Sequence, residues 1–271
     1  MLDFLKWNIY LVARDPISEV SDRLTQLSTD SFLDLSRLYL DDNELLEVTR
    51  TFRKCERPGR FRLDISCTEL SPEDESNLRQ ILSECHHLTI GNTVSRTGFW
   101  EIFEKSQSNL EILEISAVEL KDEGQLARIL EKCTNLKTLK LAGIRISSFE
   151  GVDEPVVSAI PQAIRGLLNL KKLDLSFNPW ITESTWQQIL GGMENLEELV
   201  MNETRNNVQF ESDWLPSLRQ FTARGSRLQW ETVCEMLSIL EKLEKIDLRY
   251  TKIDGNLVDL LRNGSNLEIL N

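Results

Sequence analysis

Histidine is nearly missing: His86 and His87 are the only two in 271 residues. No carboxylate stands near them at ligand spacing, so a structural or solvated role is expected rather than a metal site, whose ligands cluster. Cysteine is sparse too. The five present, Cys55, Cys67, Cys85, Cys133 and Cys234, are odd in number and lack any C-x-x-C pair. That excludes a disulfide framework or zinc site and favours a reducing compartment. Basic residues are in short supply, 31 against 44 acidic ones, leaving a net charge of −13. Such a charge repels nucleic acid and anionic membrane, whereas a basic or mixed protein surface suits it.

Other absences narrow the chemistry further. No apolar run nears the roughly 18 residues that span a bilayer, and "MLDFLKWNIYLVARDP" has no basic head before a small-residue cleavage site. A cytoplasmic protein, neither secreted nor anchored, is the expectation. The patterns G-x-x-x-x-G-K-[ST], G-x-S-x-G and H-E-x-x-H do not occur, so no catalytic residue, cofactor or metal is expected. Adjacent carboxylates, Asp41 with Asp42 or Glu197 with Glu198, are too common in so acidic a chain to signal catalysis. "NET" at Asn202 and "NGS" at Asn263 match glycosylation sequons that arise easily by chance.

What the sequence does have is leucine at a fixed spacing. The pattern L-x-x-L-x-L-x-x-(N/T)-x-L fits "LSRLYLDDNEL" from Leu35, "RFRLDISCTEL" from Arg60, "CHHLTIGNTVS" from Cys85 and "LEILEISAVEL" from Leu110. It fits again in "LKTLKLAGIRI" from Leu136, "LKKLDLSFNPW" from Leu170, "LEELVMNETRN" from Leu196, "LRQFTARGSRL" from Leu218 and "LEKIDLRYTKI" from Leu243. A degenerate copy begins at Leu2, and "LEIL" from Leu267 reads as a truncated one. Successive copies start 22 to 34 residues apart, in or near the range of about 20 to 29 for leucine-rich repeats. One match is easily accidental, but about ten in a row are not.

The expected fold is therefore an α/β leucine-rich repeat solenoid of about ten repeats, a ribonuclease-inhibitor-like horseshoe. A parallel sheet would line its concave face and mostly helices its convex face. One domain over 1–271 is implied, with a degenerate repeat at 1–34, an enlarged return at 147–166 holding Pro155 and Pro161, and a truncated repeat at 267–271. In each copy the first, fourth and sixth positions point inward. The ninth turns the chain, where a polar side chain can bond backbone groups that the strand has released. Asn43 and Asn178 suit this best, and Thr68, Thr93, Thr204, Ser226 and Thr251 less well. Val118 and Ile144 cannot do it, so backbone or water must.

Three returns carry a helical pattern. Ser71 is the expected N-cap of "SPEDESNLRQILSEC", with Pro72 behind it, the acids Glu73, Asp74 and Glu75 in its first turn, and Leu78, Ile81 and Leu82 on one face. "GQLARILEKC" presents Leu126, Ile129 and Leu130, and "WETVCEMLSILEKL" presents Val233, Met236, Leu237 and Leu240. The stretch from Asn207 to Ser217 is too short and irregular for a full helix.

Side chains between the leucines face outward, which makes the concave face the candidate binding surface. The fifth-position column reads Tyr39, Asp64, Thr89, Glu114, Lys140, Asp174, Val200, Thr222 and Asp247. Charge is banded: Glu111 and Glu114, then Lys137, Lys140, Lys171 and Lys172, then Glu197, Glu198 and Glu203. The bland reading is a solvated sheet face. The sharper one is a protein contact surface of Lys137, Lys140, Lys171, Lys172, Asp174 and Phe177, with Glu114, Glu198 and Tyr250 around it. Cys85 and Cys133 read as small buried apolar residues.

The segments "LDFLKW", "TELSPEDESNLRQILSEC", "CTNLKTLKLAG" and "NLKKLDLSFN" resemble the C-terminal leucine-rich repeats of NLR innate immune receptors, the NAIP-type and CARD-containing inflammasome receptors among them. The resemblance implies a cytosolic, ligand-sensing domain that folds over a nucleotide-binding oligomerisation module in the same full-length protein and restrains it. This chain departs from such a receptor in having no phosphate-binding loop and no death-fold or BIR region. Two alternatives stay open. One is a stand-alone adaptor such as a ubiquitin-ligase substrate receptor, although no F-box-like helix set precedes Leu35. The other is a GTPase-activating repeat protein using Arg145, Arg205 or Arg224.

Overall fold

The computed structural model describes residues 32–36, 39–40, 46–48, 50, 61–66, 69–70, 75–91, 99–106, 109–120, 123–146, 159–204, 208, 210–211, 214–251, 253 and 268–270. Strands in the first half are β1 (Phe32–Asp34), β2 (Tyr39–Leu40), β3 (Phe61–Asp64), β4 (Glu69–Leu70), β5 (Cys85–Gly91), β6 (Ile112–Ser116) and β7 (Glu119–Leu120). After these come β8 (Thr138–Ala142), β9 (Arg145–Ile146), β10 (Lys172–Asp174), β11 (Glu198–Val200), β12 (Gln220–Thr222), β13 (Lys245–Asp247) and β14 (Glu268–Leu270). Helices among the described residues include α1 (Glu75–Glu84), α2 (Phe99–Lys105), α3 (Glu123–Lys132), α4 (Ile160–Arg165), α5 (Glu183–Leu190) and α6 (Trp230–Ile239).

Ten of these strands form one sheet in the order β1-β3-β5-β6-β8-β10-β11-β12-β13-β14, and every pairing in it is parallel. Each repeat thus contributes one strand beside that of the repeat before it. The fourth positions stack in register: Leu63, Leu88, Leu113, Leu139, Leu173, Leu199, Phe221 and Ile246 are all buried. First positions from Leu110 to Leu243 are buried as well, as are sixth positions from Ile65 to Ala223. Fully burying one leucine is worth about 2 kcal/mol, and a single repeat could not enclose its own three.

Sheet register corrects the alignment at both ends. Leu33, not Leu38, stands beside Leu63, so the copy placed at Leu35 belongs five residues earlier. Leucines at 33, 35, 38 and 40 make the pattern degenerate there, and only pairing with β3 selects a frame. Asp34 consequently takes the column place expected of Tyr39, which lies in β2 beside β4. At the other end Ile269 rather than Leu270 stands beside Ile246, which moves the last copy back by one.

Helices cover the inner side. Leu78, Ile81 and Leu82 of α1, Leu126, Ile129 and Leu130 of α3, and Val233 and Met236 of α6 are buried, as the helical spacing requires; Leu237 is partly so. Three further helices escaped the sequence reading. Phe99, Ile102 and Phe103 bury the face of α2. Pro161 opens α4 in its first turn, where its missing N–H costs nothing. Thr182 caps α5: its hydroxyl accepts the Thr185 N–H at 3.3 Å while Thr185 Oγ1 accepts the Thr182 N–H at 3.2 Å, a capping box made with threonine in place of the usual glutamate. Trp186 then sits wholly buried. From α1 to α5 each helix packs against the next.

The stretch 207–217 has no helix among its described residues. Its repeat is the shortest, and bulk replaces the helix: Val208, Phe210, Trp214 and Leu215 are buried, with Phe210 edge-on to Phe221 at 5.8 Å. Residues 1–31 of the degenerate first repeat, Ser71 to Asp74, most of the enlarged return, Asn43, Thr68, Thr93, Cys55, Cys67 and Arg205 lie outside the described residues.

Ninth positions close the turns as expected. Buried Asn178 donates to the carbonyls of Leu175, at 2.9 Å, and of Leu141 in the preceding repeat. Its Oδ1 accepts the Ile144 N–H at 2.8 Å, so the next repeat's asparagine serves the turn that Ile144 cannot close for itself. Val118 gives its carbonyl to the Arg145 N–H at 2.9 Å, a backbone solution. Thr204 and Thr251 donate to the carbonyls three residues back, and Ser226 reaches Met201 of the previous repeat at 2.6 Å. An unanticipated stitch lies just before the first leucine, where Asn109, Asn169 and Asn195 donate to Ser83, Thr134 and Leu168 carbonyls of the repeat behind. The recurring Asn-Leu dipeptide is its sequence signal.

Candidate protein-binding face

Third and fifth positions alternate away from the core onto a sheet face that none of the described helices covers. In-register strands set equivalent side chains about 5 Å apart, so charges in one column meet their neighbours in the next repeat. Lys137 pairs with Glu111 at 3.0 Å, Lys171 with Glu197 at 2.7 Å, Lys172 with Glu198 at 2.7 Å, and Arg219 with Glu244. Lys137 and Lys171, neighbours of like charge, turn in opposite directions to their acids. The hydrogen bond from Lys171 holds the Glu197 carboxyl below its usual range. Three of the four lysines in the expected basic band are thereby neutralised within the chain, by exposed pairs that solvent screens and that add little to stability.

Fifth-position acids are committed as well. Asp34, Asp64 and Asp174 each accept the N–H two residues on, at 2.8, 2.9 and 3.0 Å, the local bond by which aspartate shapes a turn. Asp174 also takes the Ser176 hydroxyl at 2.6 Å. Asp247, expected outside, is 3% exposed because Arg224 and Arg249 fold over it at 2.6 and 2.8 Å. Burial pushes its pKa up, but the hydrogen bonds from Arg249 and Arg224 outweigh burial and bring it to about 2.

His87 is less isolated than its sequence neighbours suggest. Its Nε2 lies 3.6 Å from Glu114 Oε2, which also accepts from Thr89 Oγ1 at 3.3 Å. The hydrogen bond from His87 leads the effects that hold the Glu114 carboxyl below its usual range. The partner comes from the adjacent strand, where His87 and Ile112 share a register position two before Glu114. Cys85 and Cys133 are buried, and burial raises the Cys85 thiol to about 12, which makes it inert.

The eighth position carries a feature that composition could not show. Ala117, Gly143, Phe177, Glu203, Gly225 and Tyr250 all have positive φ, between 53° and 66°. Their left-handed turn lets the eighth N–H reach the seventh carbonyl of the next repeat, as from Phe177 to Asn202 at 2.9 Å and from Gly225 to Arg249 at 2.9 Å. Glycine suits this conformation; other residues are strained in it by roughly 1 kcal/mol or more. Phe177 and Tyr250 are nonetheless 56% and 86% exposed.

Beside Phe177 the strand ends leave an open depression of about 670 Å³, lined by Lys140, Gly143, Arg145, Asp174 and Ser176 among others. Among the described residues no carboxylate lies within 4 Å of Lys140 or Arg145. The structure thus separates the nine expected contact residues. Lys140, Asp174 and Phe177 meet at the depression, Lys137, Lys171, Lys172, Glu114 and Glu198 stand in pairs, and Tyr250 lies three repeats beyond Phe177. Sequence reasoning passed over Arg145 as a contact residue, since it follows the turn rather than lying between leucines. No group of three or more His, Cys, Asp or Glu able to hold a metal occurs among the described residues, nor any helix long and apolar enough to cross a membrane.

No family model matches the sequence, and no curated protein does. Among solved structures the chain is similar to an internalin, InlF of Listeria monocytogenes, with a TM-score of 0.56 and 12% identity. The match covers 90% of this chain and 68% of that one. At so low an identity the likeness speaks for architecture alone, and with the ten-stranded parallel stack it shows that this chain has the leucine-rich repeat fold.

Proposed function

We propose that the chain is a non-catalytic protein-binding domain that takes its partner on the uncovered sheet face, the concave side of the expected horseshoe. One observation carries this: among the described residues helices close the core-facing side of the sheet, while its other side holds partly exposed polar and charged side chains across consecutive repeats. Extended faces of this kind are what repeat proteins use for binding. A pulldown with a purified partner tests it. Changing Lys140, Lys171 and Lys172 together to Glu is expected to abolish retention while circular dichroism stays unchanged, and undiminished retention would sink the reading.

The sequence likeness to NLR repeats extends this to a finer role, a cytoplasmic ligand-sensing domain that restrains a nucleotide-binding module in the same protein. The quoted segments support it. A transcript encoding a phosphate-binding loop upstream of Met1 is the expected finding; one that begins at Met1 defeats the role. Of the arginines weighed for a GTPase-activating alternative, Arg224 is held by Asp247.

A further inference from the structure

We infer that the depression beside Phe177 docks an extended segment of a partner protein that carries one carboxylate close to an apolar side chain, on a surface otherwise neutral or basic. This rests on the protein-binding reading and gives it a place and a chemistry.

Three observations converge on it. First, the depression is cationic where its surroundings are neutralised. Lys140 and Arg145 line it against one carboxylate, Asp174, whose Oδ1 is already engaged by Ser176. Glu114, one repeat behind Lys140 in register, feels its charge but is bonded by Thr89 and lies against His87. In a chain with 44 acidic residues against 31 basic ones, two cations with no carboxylate within 4 Å among the described residues are open to an acid from outside. The overall charge of −13 repels a partner acidic throughout, so one local carboxylate fits better than an acidic surface.

Second, the wall is an aromatic held in a conformation that favours glycine. Phe177 has φ 61° and is 56% exposed, whereas Gly143 and Gly225 fill the same place two other times. Strain without burial suits a side chain that completes its packing on a partner. Third, the floor is built from small residues. A Cβ added at Gly143 would meet Phe177 Cβ at 3.9 Å and the Ala117 backbone at 3.8 Å, so the space above is left by missing side chains. The depression is open rather than enclosed, which suits a peptide segment rather than a small molecule needing near-complete enclosure.

The test pans the full chain against a random linear peptide library and measures enriched peptides by fluorescence polarisation. Expected are peptides with Asp or Glu within two residues of an aromatic or aliphatic side chain. Their affinity should fall roughly tenfold or more on Arg145→Glu, on Phe177→Gly and on amidation of the peptide's acid, and stay the same on Lys105→Glu, at the exposed end of α2. Glycine fits φ at 177, so the Phe177→Gly variant folds and its result is decisive. No enrichment of such peptides, or unchanged affinity in both Arg145→Glu and Phe177→Gly, overturns the site. Loss on Lys171→Glu with Arg145→Glu silent also overturns it, while leaving the broader protein-binding reading intact.

Discussion

The two ends of the sheet strands handle charge in different ways. Where the strands begin, Lys137, Lys171, Lys172 and Arg219 each find an acid in an adjoining repeat. Where they finish, aspartates turn back on their own backbone, and Lys140 and Arg145 have no carboxylate within 4 Å among the described residues. Both ends carry charges of both signs. Their difference teaches that a charged column on a repeat sheet is a contact patch only to the extent that the stack leaves it unpaired.

The largest effect expected at the strand finish is structural. Asn178→Ala strips partners from two carbonyls and from the Ile144 N–H, all in a buried turn. Denaturant unfolding should show a loss of about 3 kcal/mol, and a loss below about 1 kcal/mol would mean that the turns do not lock the strand ends. Next is Asp247. Its folded pKa of about 2 lies below the usual value of 3.8, so its contribution is present above the latter and fades as pH falls toward the former. Both guanidiniums reach water, and screening leaves a contribution of about 1 kcal/mol. In Asp247→Asn the fall in thermal stability between those pH values should flatten relative to wild type; an unaltered profile would show that the arginines hold nothing.

Smaller changes sharpen the contrast. Tyr250→Gly removes left-handed strain and almost no burial, so stability should rise by about 0.5–1 kcal/mol despite glycine's greater freedom when unfolded; a fall in melting temperature would show hidden packing. At the strand start, Lys171→Glu exchanges attraction to Glu197 for attraction to Lys137 on the other side. The melting temperature should hardly change, because solvent screens both contacts, and a clear fall would make the paired ladder a structural device.

Much of the scaffold was legible because inward positions follow from local chemistry. Leu173 and Leu175 face the core for the same reason in every copy, and Asn178 was placed correctly in its turn. Register at the two ends was not legible, since Leu33, Leu35, Leu38 and Leu40 satisfy the pattern in two ways. The short helices around Phe99, Ile160 and Trp186 were passed over because so few residues display little of a 3.6-residue period. For the binding face the residues were found but not their state. Lys171 and Lys140 look alike in sequence, and Asp247 looks as exposed as Asp174.

What the sequence by itself determined is the repeat period, the inward leucines, the polar turn position and a composition poor in histidine. These depend on residues within one copy, and stacking identical units only multiplies them. The tertiary structure alone decided which charges are spent and which remain. Ion pairs such as Lys171 with Glu197 join residues a whole repeat apart, and the return segments between strands vary in length. Only strand register says which side chains come within the few ångströms over which a salt bridge forms.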